Sequence, residues 1–98
     1  MQTAPRRRTG GVSLPLGRIL ITPGALEALT NADVQGALGR HALGDWGELS
    51  AADLEENELS LEQGFRLLSS YRSATGLKFW IITEADRSAT TVLLPDEY

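Results

Sequence analysis

Leu77-Lys-Phe-Trp-Ile-Ile-Thr-Glu-Ala-Asp-Arg-Ser-Ala-Thr-Thr-Val-Leu-Leu-Pro-Asp-Glu-Tyr98 sets two runs of β-branched and aromatic residues on either side of Ala85 to Ser88, whose aspartate and serine suit a tight turn. The stretch reads as an antiparallel hairpin. Pro95 ends its second strand, because proline offers no N–H to a ladder. Upstream, from Phe65, the pattern already has period two: Phe65, Leu67, Ser69 and Tyr71 point one way, and Arg66, Leu68, Ser70 and Arg72 the other. A turn at Ala74 to Gly76 joins this run to the hairpin, so the last third of the chain is a meander. On its middle strand Leu77, Phe79 and Ile81 oppose Lys78, Trp80 and Ile82. Both faces therefore carry apolar residues. One receives helices. The second, assigned Leu68, Trp80, Ile82, Val92 and Leu94, requires a cover, either the segment around Ile19 or a second copy of the chain.

Ahead of the meander the spacing turns helical. Gly17 to Ile21 suits a short strand or an extended lead-in, and Thr22 then stands as N-cap with Pro23 at the first helical position. Ala25, Leu26 and Leu29 give that short helix an apolar side. A second helix starts at Thr30 or Asn31, with Asp33 supplying negative charge to its first turn. Its stripe is Val34, Ala37, Leu38, His41 and Ala42, and Gly44 ends it. After a turn at Asp45-Trp46-Gly47, Ser50 and Asp53 open a third helix. Extended to about Leu61, it sets Leu54, Asn57, Glu58 and Leu61 on one face, with polar groups in an apolar stripe; an end near Glu58 would avoid that. The longer helix is preferred. The expected fold is α+β, with two or three short helices packed on a three- to four-stranded antiparallel sheet. Residues 1–13, with Pro5, Arg6, Arg7, Arg8, Gly10 and Gly11, read as a flexible basic arm before a single domain at 14–98.

The length, 98 residues, suits one domain with one modest core. With 42% apolar and 22% charged residues the composition is that of a folded globule. Zero cysteines exclude disulfides, thiolate metal sites and cysteine nucleophiles. No apolar run approaches the roughly 20 residues of a bilayer span, and Arg6 to Arg8 precede no signal-peptide core. A cytoplasmic protein that does not engage a membrane is expected.

Charge is unevenly placed. Residues 1–8 carry three arginines and no acid, whereas residues 9–98 carry six bases against all 13 acids, a formal charge of −7. Between His41 and Arg66 stand Asp45, Glu48, Asp53, Glu55, Glu56, Glu58 and Glu62 with no lysine or arginine. Such a run does not make a nucleic-acid groove, which needs cations against phosphate, and no direct nucleic-acid contact is expected from the folded domain. It projects a negative field suited to a cationic protein surface, including one that normally holds nucleic acid. Trp46, an aromatic beside those charges, is the candidate anchor.

Other chemistry has thinner support. His41, the sole histidine, rules out a multi-histidine metal site; on an apolar stripe it reads as a packed residue, bonded to a carbonyl or to Asp45. The alternative is a small ribonuclease or toxin-like protein using His41, Arg87 and a hydroxyl from Thr83, Thr90 or Thr91. Arg87 in its Asp86-Arg87-Ser88 turn also suits a structural tie to Glu84, Asp96 or Glu97. Phosphate loops, nucleophile elbows and zincin motifs are absent. Asp45, Glu48 and Asp53 lack the spacing of a calcium loop, so no metal and no cofactor is expected.

Arg40-His-Ala-Leu-Gly-Asp-Trp-Gly-Glu-Leu49, Asp53, Asn57, Gly64-Phe-Arg-Leu-Leu-Ser-Ser-Tyr71 and the block from Trp80 to Tyr98 resemble a family of small bacterial proteins from plasmids, prophages and other mobile elements. These are often called plasmid-related proteins, or labelled restriction-modification subunits although they lack a methyltransferase domain. The resemblance covers about residues 20–98 and carries no catalytic residues. It implies a mobile-element setting and, by analogy, antagonism of host defence of the anti-CRISPR or anti-restriction kind. The expected function is non-enzymatic binding to a cationic protein surface through Asp45, Trp46, Glu48, Asp53, Glu55, Glu56, Glu58 and Glu62. A structural homodimer is a further alternative.

Overall fold

In the computed structural model, which describes residues 13–98, the C-terminal meander forms as its periodicity predicts. Its strands are β2 (Leu67–Arg72), β3 (Lys78–Thr83) and β4 (Ala89–Leu93), and β1 (Arg18–Ile21) adds a fourth. Three helices lie between β1 and β2: α1 (Pro23–Ala28), α2 (Asn31–Ala42) and α3 (Ala51–Gln63). The expected basic arm lies, save for Ser13, outside the described residues.

The sheet order is β1-β4-β3-β2. β2, β3 and β4 pair antiparallel, but β1 runs parallel to β4, so the sheet is mixed where a purely antiparallel one was expected. The chain leaves β1 into three helices and returns at the far edge, which leaves β1 to enter beside β4 in the same direction. Arg18 N–H donates to Ser88 C=O and Thr22 N–H to Val92 C=O, both at 3.0 Å, bracketing the parallel pair.

Local chemistry sets the helix ends. Thr22 caps α1 with Pro23 following. Thr30 and Asp33 form a reciprocal capping box on α2. Asp33 also accepts from Ala74 N–H at 3.0 Å, which ties the start of α2 to the β2–β3 turn. α3 is the longer helix, capped by Ser50 and ended by Gly64 in the left-handed region at φ 80°.

The core lies between α1, α2 and one sheet face: Ala25, Leu29, Val34, Ala37 and Leu38 meet Tyr71, Phe79, Ile81 and Val92. Full burial of each large apolar side chain is worth about 1.5–3 kcal/mol. Val92 pairs with Ile81 and so belongs to this helix-facing side, and Leu94 packs against the same cluster. That corrects their assignment to the second face. The β3–β4 register puts Leu93 opposite Trp80 there instead, beside Leu68 and Ile82.

Candidate functional site

His41 comes from the last turn of α2 and is fully buried, at 0% exposure. Its Nδ1 lies 2.5 Å from Ser69 Oγ and its Nε2 2.8 Å from Thr83 Oγ1. Thr83 Oγ1 in turn lies 2.8 Å from Thr90 Oγ1, and Thr90 donates to the Leu16 carbonyl at 2.7 Å. A carbonyl only accepts, so the single hydroxyl proton of Thr90 is committed to Leu16. Thr83 must then donate to Thr90, and His41 Nε2–H to Thr83. Ser69 donates to the bare Nδ1. The chain of bonds thus fixes the tautomer of the neutral ring. Burial, and then the nearby Arg87 charge, pull the His41 pKa down to about 4.

This histidine therefore fastens α2 to three strands, and its partners are Ser69 and Thr83 in place of the expected carbonyl or Asp45. The sequence pointed to Thr83 and Thr90 as neighbouring hydroxyls but not to Ser69. Thr91 pairs with Ile82 and so points to the opposite face of the sheet. Arg87 is engaged elsewhere: its guanidinium donates to the carbonyls of Phe65, Glu84, Ala85 and Ser60 at 2.7–3.2 Å. It ties the end of α3 to the β3–β4 turn, where Arg87 itself sits at φ 63°. The tie runs to backbone carbonyls and not to the carboxylates of Glu84, Asp96 or Glu97. No substrate-facing trio of His41, Arg87 and Thr91 is assembled.

The turn after α2 closes the free edge of β2. Ser70 N–H donates to Trp46 C=O at 3.0 Å and Glu48 N–H to Ser70 C=O at 2.7 Å, which makes Gly47 a parallel bridge partner of Ser70. One residue pair further along, Asn57 of α3 does the work of a strand. Its Nδ2 donates to Leu68 C=O and its Oδ1 accepts from Leu68 N–H at 3.1 Å. The buried amide in the stripe of α3 was visible in the sequence, but its partner was not.

Pairing with β2 turns the Trp46 ring inward. It is 4% exposed and meets His41 edge to face at 5.5 Å between ring centres, with its N–H 3.4 Å from Glu58 Oε2. Trp46 is thus a core residue and does not present the surface anchor expected of it. The acids also divide. Asp45 takes two bonds from Arg40, at 2.7 and 3.2 Å, and Glu48 pairs with Arg72 at 3.0 Å. Those two have local countercharge, contrary to expectation, because arginines outside the run fold back onto it. The Arg40 bond holds the Asp45 carboxyl below its usual range, and Arg40 lies 4.7 Å from the centre of the Tyr71 ring, whose hydroxyl donates to Asp45 C=O. Asp53, Glu55, Glu56 and Glu62 remain exposed along α3.

Among the described residues no three of His, Cys, Asp or Glu converge as metal ligands, and no helix is long and apolar enough to cross a membrane. No family model, curated protein or solved structure matches the chain.

Proposed function

We propose that the chain is a non-enzymatic, acidic protein-binding module of a mobile genetic element. It engages a cationic, nucleic-acid-binding surface on a bacterial defence complex of the CRISPR or restriction type. The observation that carries the reading is a 13-residue helix with four exposed acids and no lysine or arginine, Glu55 and Glu62 on one side of it and Asp53 and Glu56 on another. A rigid helix presents each pair of carboxylates at fixed spacing, so it can substitute for phosphates on a basic groove. The defence setting comes from the sequence resemblance alone. Asp45 and Glu48 add a paired, weaker field beside the helix, and Trp46 supports the turn from within.

The test is capture from bacterial lysate at low and high salt with the wild type and with a Glu55→Lys, Glu56→Lys, Glu62→Lys variant. It is paired with transformation of a CRISPR-targeted or restricted plasmid into cells expressing either form. The wild type should retain a nucleic-acid enzyme that salt releases, and should raise transformation at least tenfold; the variant should do neither while unfolding at the same denaturant midpoint. Equal capture and equal protection by both forms would remove α3 from the mechanism.

A further inference from the structure

The second sheet face holds a charge pattern that the net charge conceals. Alternation along the strands brings Arg18 of β1, Arg66 just before β2, Arg72 of β2 and Lys78 of β3 to the side away from the helices. These are four of the six basic residues of the described chain. Arg72 and Lys78 stand opposite each other at one end, while Arg18 lies opposite Ala89 towards the other. Between them, Trp80 meets Tyr98 at 5.9 Å between ring centres, and the Arg66 guanidinium lies 5.5 Å from the centre of the Tyr98 ring. Tyr98 is 66% exposed. Beside this stack is a recess of about 180 Å³, floored by Ile82, Thr91 and Leu93 and walled by Arg66, Glu84 and Tyr98. At about 30 Å³ per water, it has the room of about six waters, enough for one flat ring. The Ser70 hydroxyl, in register opposite Trp80, is buried and is the one such side-chain atom among the described residues with no hydrogen-bond partner.

We propose that this face binds single-stranded nucleic acid, with Arg18, Arg66 and Lys78 on the phosphates and Tyr98 and Trp80 stacking bases. Cations at both ends of an aromatic strip are the arrangement that such strands require. From Lys78 to Glu84 the strip is about 20 Å long at about 3.3 Å per residue, room for a few nucleotides. Glu84, in the wall of the recess, accepts hydrogen bonds from an amino group, so the site favours amino-bearing bases over thymine or uracil, which show carbonyls there. Arg66 also lines a recess with Asp53 and Glu56 of α3, so the surface is separate only from the side of α3 that carries Glu55 and Glu62. A strand on the sheet and a protein on the helix would place the molecule at a nucleoprotein.

Fluorescence anisotropy with labelled oligo-dC and oligo-dT of about 10 nucleotides, at low and moderate salt, tests it on the full chain. Oligo-dC should bind at least threefold tighter than oligo-dT, and Glu84→Gln should level the two. Arg66→Glu with Lys78→Glu, both exposed, should lower affinity at least tenfold and flatten the salt slope by about 1.4, at about 0.7 per lost phosphate contact. Tyr98→Phe should bind as the wild type does and Tyr98→Ala about 5- to 160-fold more weakly. Absence of binding to oligo-dC at low salt would overturn the proposal. So would equal affinity for a duplex of the same length or for inorganic polyphosphate, since neither offers an unpaired base. Retention of binding by the double charge reversal would do so as well. Glu55→Lys with Glu62→Lys, which alters the side of α3 away from Arg66, should leave the preference for oligo-dC intact, so the two surfaces fail or stand separately.

Discussion

Acid should loosen this protein through one residue, over a pH range set by His41. In the unfolded chain a histidine titrates near its ordinary 6.5, whereas in the fold burial holds it at about 4. Between those values the unfolded state binds a proton that the folded state refuses, so stability is full above pH 6.5 and falls as pH drops towards 4. With those two values, the loss relative to pH 7.5 is about 2 kcal/mol at pH 5, and it tends to about 3 kcal/mol below pH 4. His41 is the only histidine, the one side-chain type whose ordinary pKa falls in the upper half of that interval. The carboxylates held low in the fold, Asp33, Asp45, Asp86 and Glu97, act in the same direction but nearer their own lower values. Urea unfolding at half-unit steps from pH 7.5 to 4.5 would show the slope, and His41→Gln keeps an acceptor and a donor without titrating. The variant should be less stable at pH 7.5 but nearly flat from 7.5 to 5. A wild-type curve flat over the same range, or a variant with an undiminished slope, would refute the sealed, neutral histidine and the bond order built on it.

Two further substitutions test the closed edge of β2. Asn57→Leu removes both bonds to Leu68 and leaves a backbone N–H and C=O unpaired under α3, so it should cost about 2–4 kcal/mol by denaturant unfolding; a loss below about 1 kcal/mol would mean that water serves this edge as well. Gly47→Ala places a Cβ 2.0 Å from Ser70 O at a φ of 75°, and should cost at least about 3 kcal/mol or prevent folding. Gly39→Ala, in α2 with nothing within 4 Å of the added carbon, should raise stability by about 0.5–1 kcal/mol in the same assay.

Local rules were legible in the sequence where one residue type settles one geometry. The caps at Thr22, Thr30 and Ser50 and the alternation of β2 and β3 all follow from such rules. The β4 register was not legible, because Val92, Leu93 and Leu94 are consecutive apolar residues and alternation cannot choose between them. The direction of β1 escaped for a different reason: four residues carry no information about a partner at the far end of the chain. Trp46 shows the limit of reading an aromatic among acids as surface. Its turn pairs with β2 through main-chain atoms, and no side-chain pattern announces that. Asn57 was conspicuous as a polar residue in an apolar stripe, yet only the fold reveals that it completes a sheet edge.

The parallel pair of β1 and β4 also dictates an order of events. Arg18 and its partner Ala89 are 71 positions apart, and closing a loop of that length costs roughly 4 kcal/mol of chain entropy before any bond repays it. The meander of β2, β3 and β4 closes through short turns, and helices form locally, so both precede the docking of β1. Ribosomes add about 5–20 residues per second, so the main chain of Ile19, Leu20 and Ile21 waits several seconds after synthesis for the strand that pairs with it. During that interval the earliest-made strand is the last without a place, and it is the segment most open to a chaperone or to a neighbouring nascent chain.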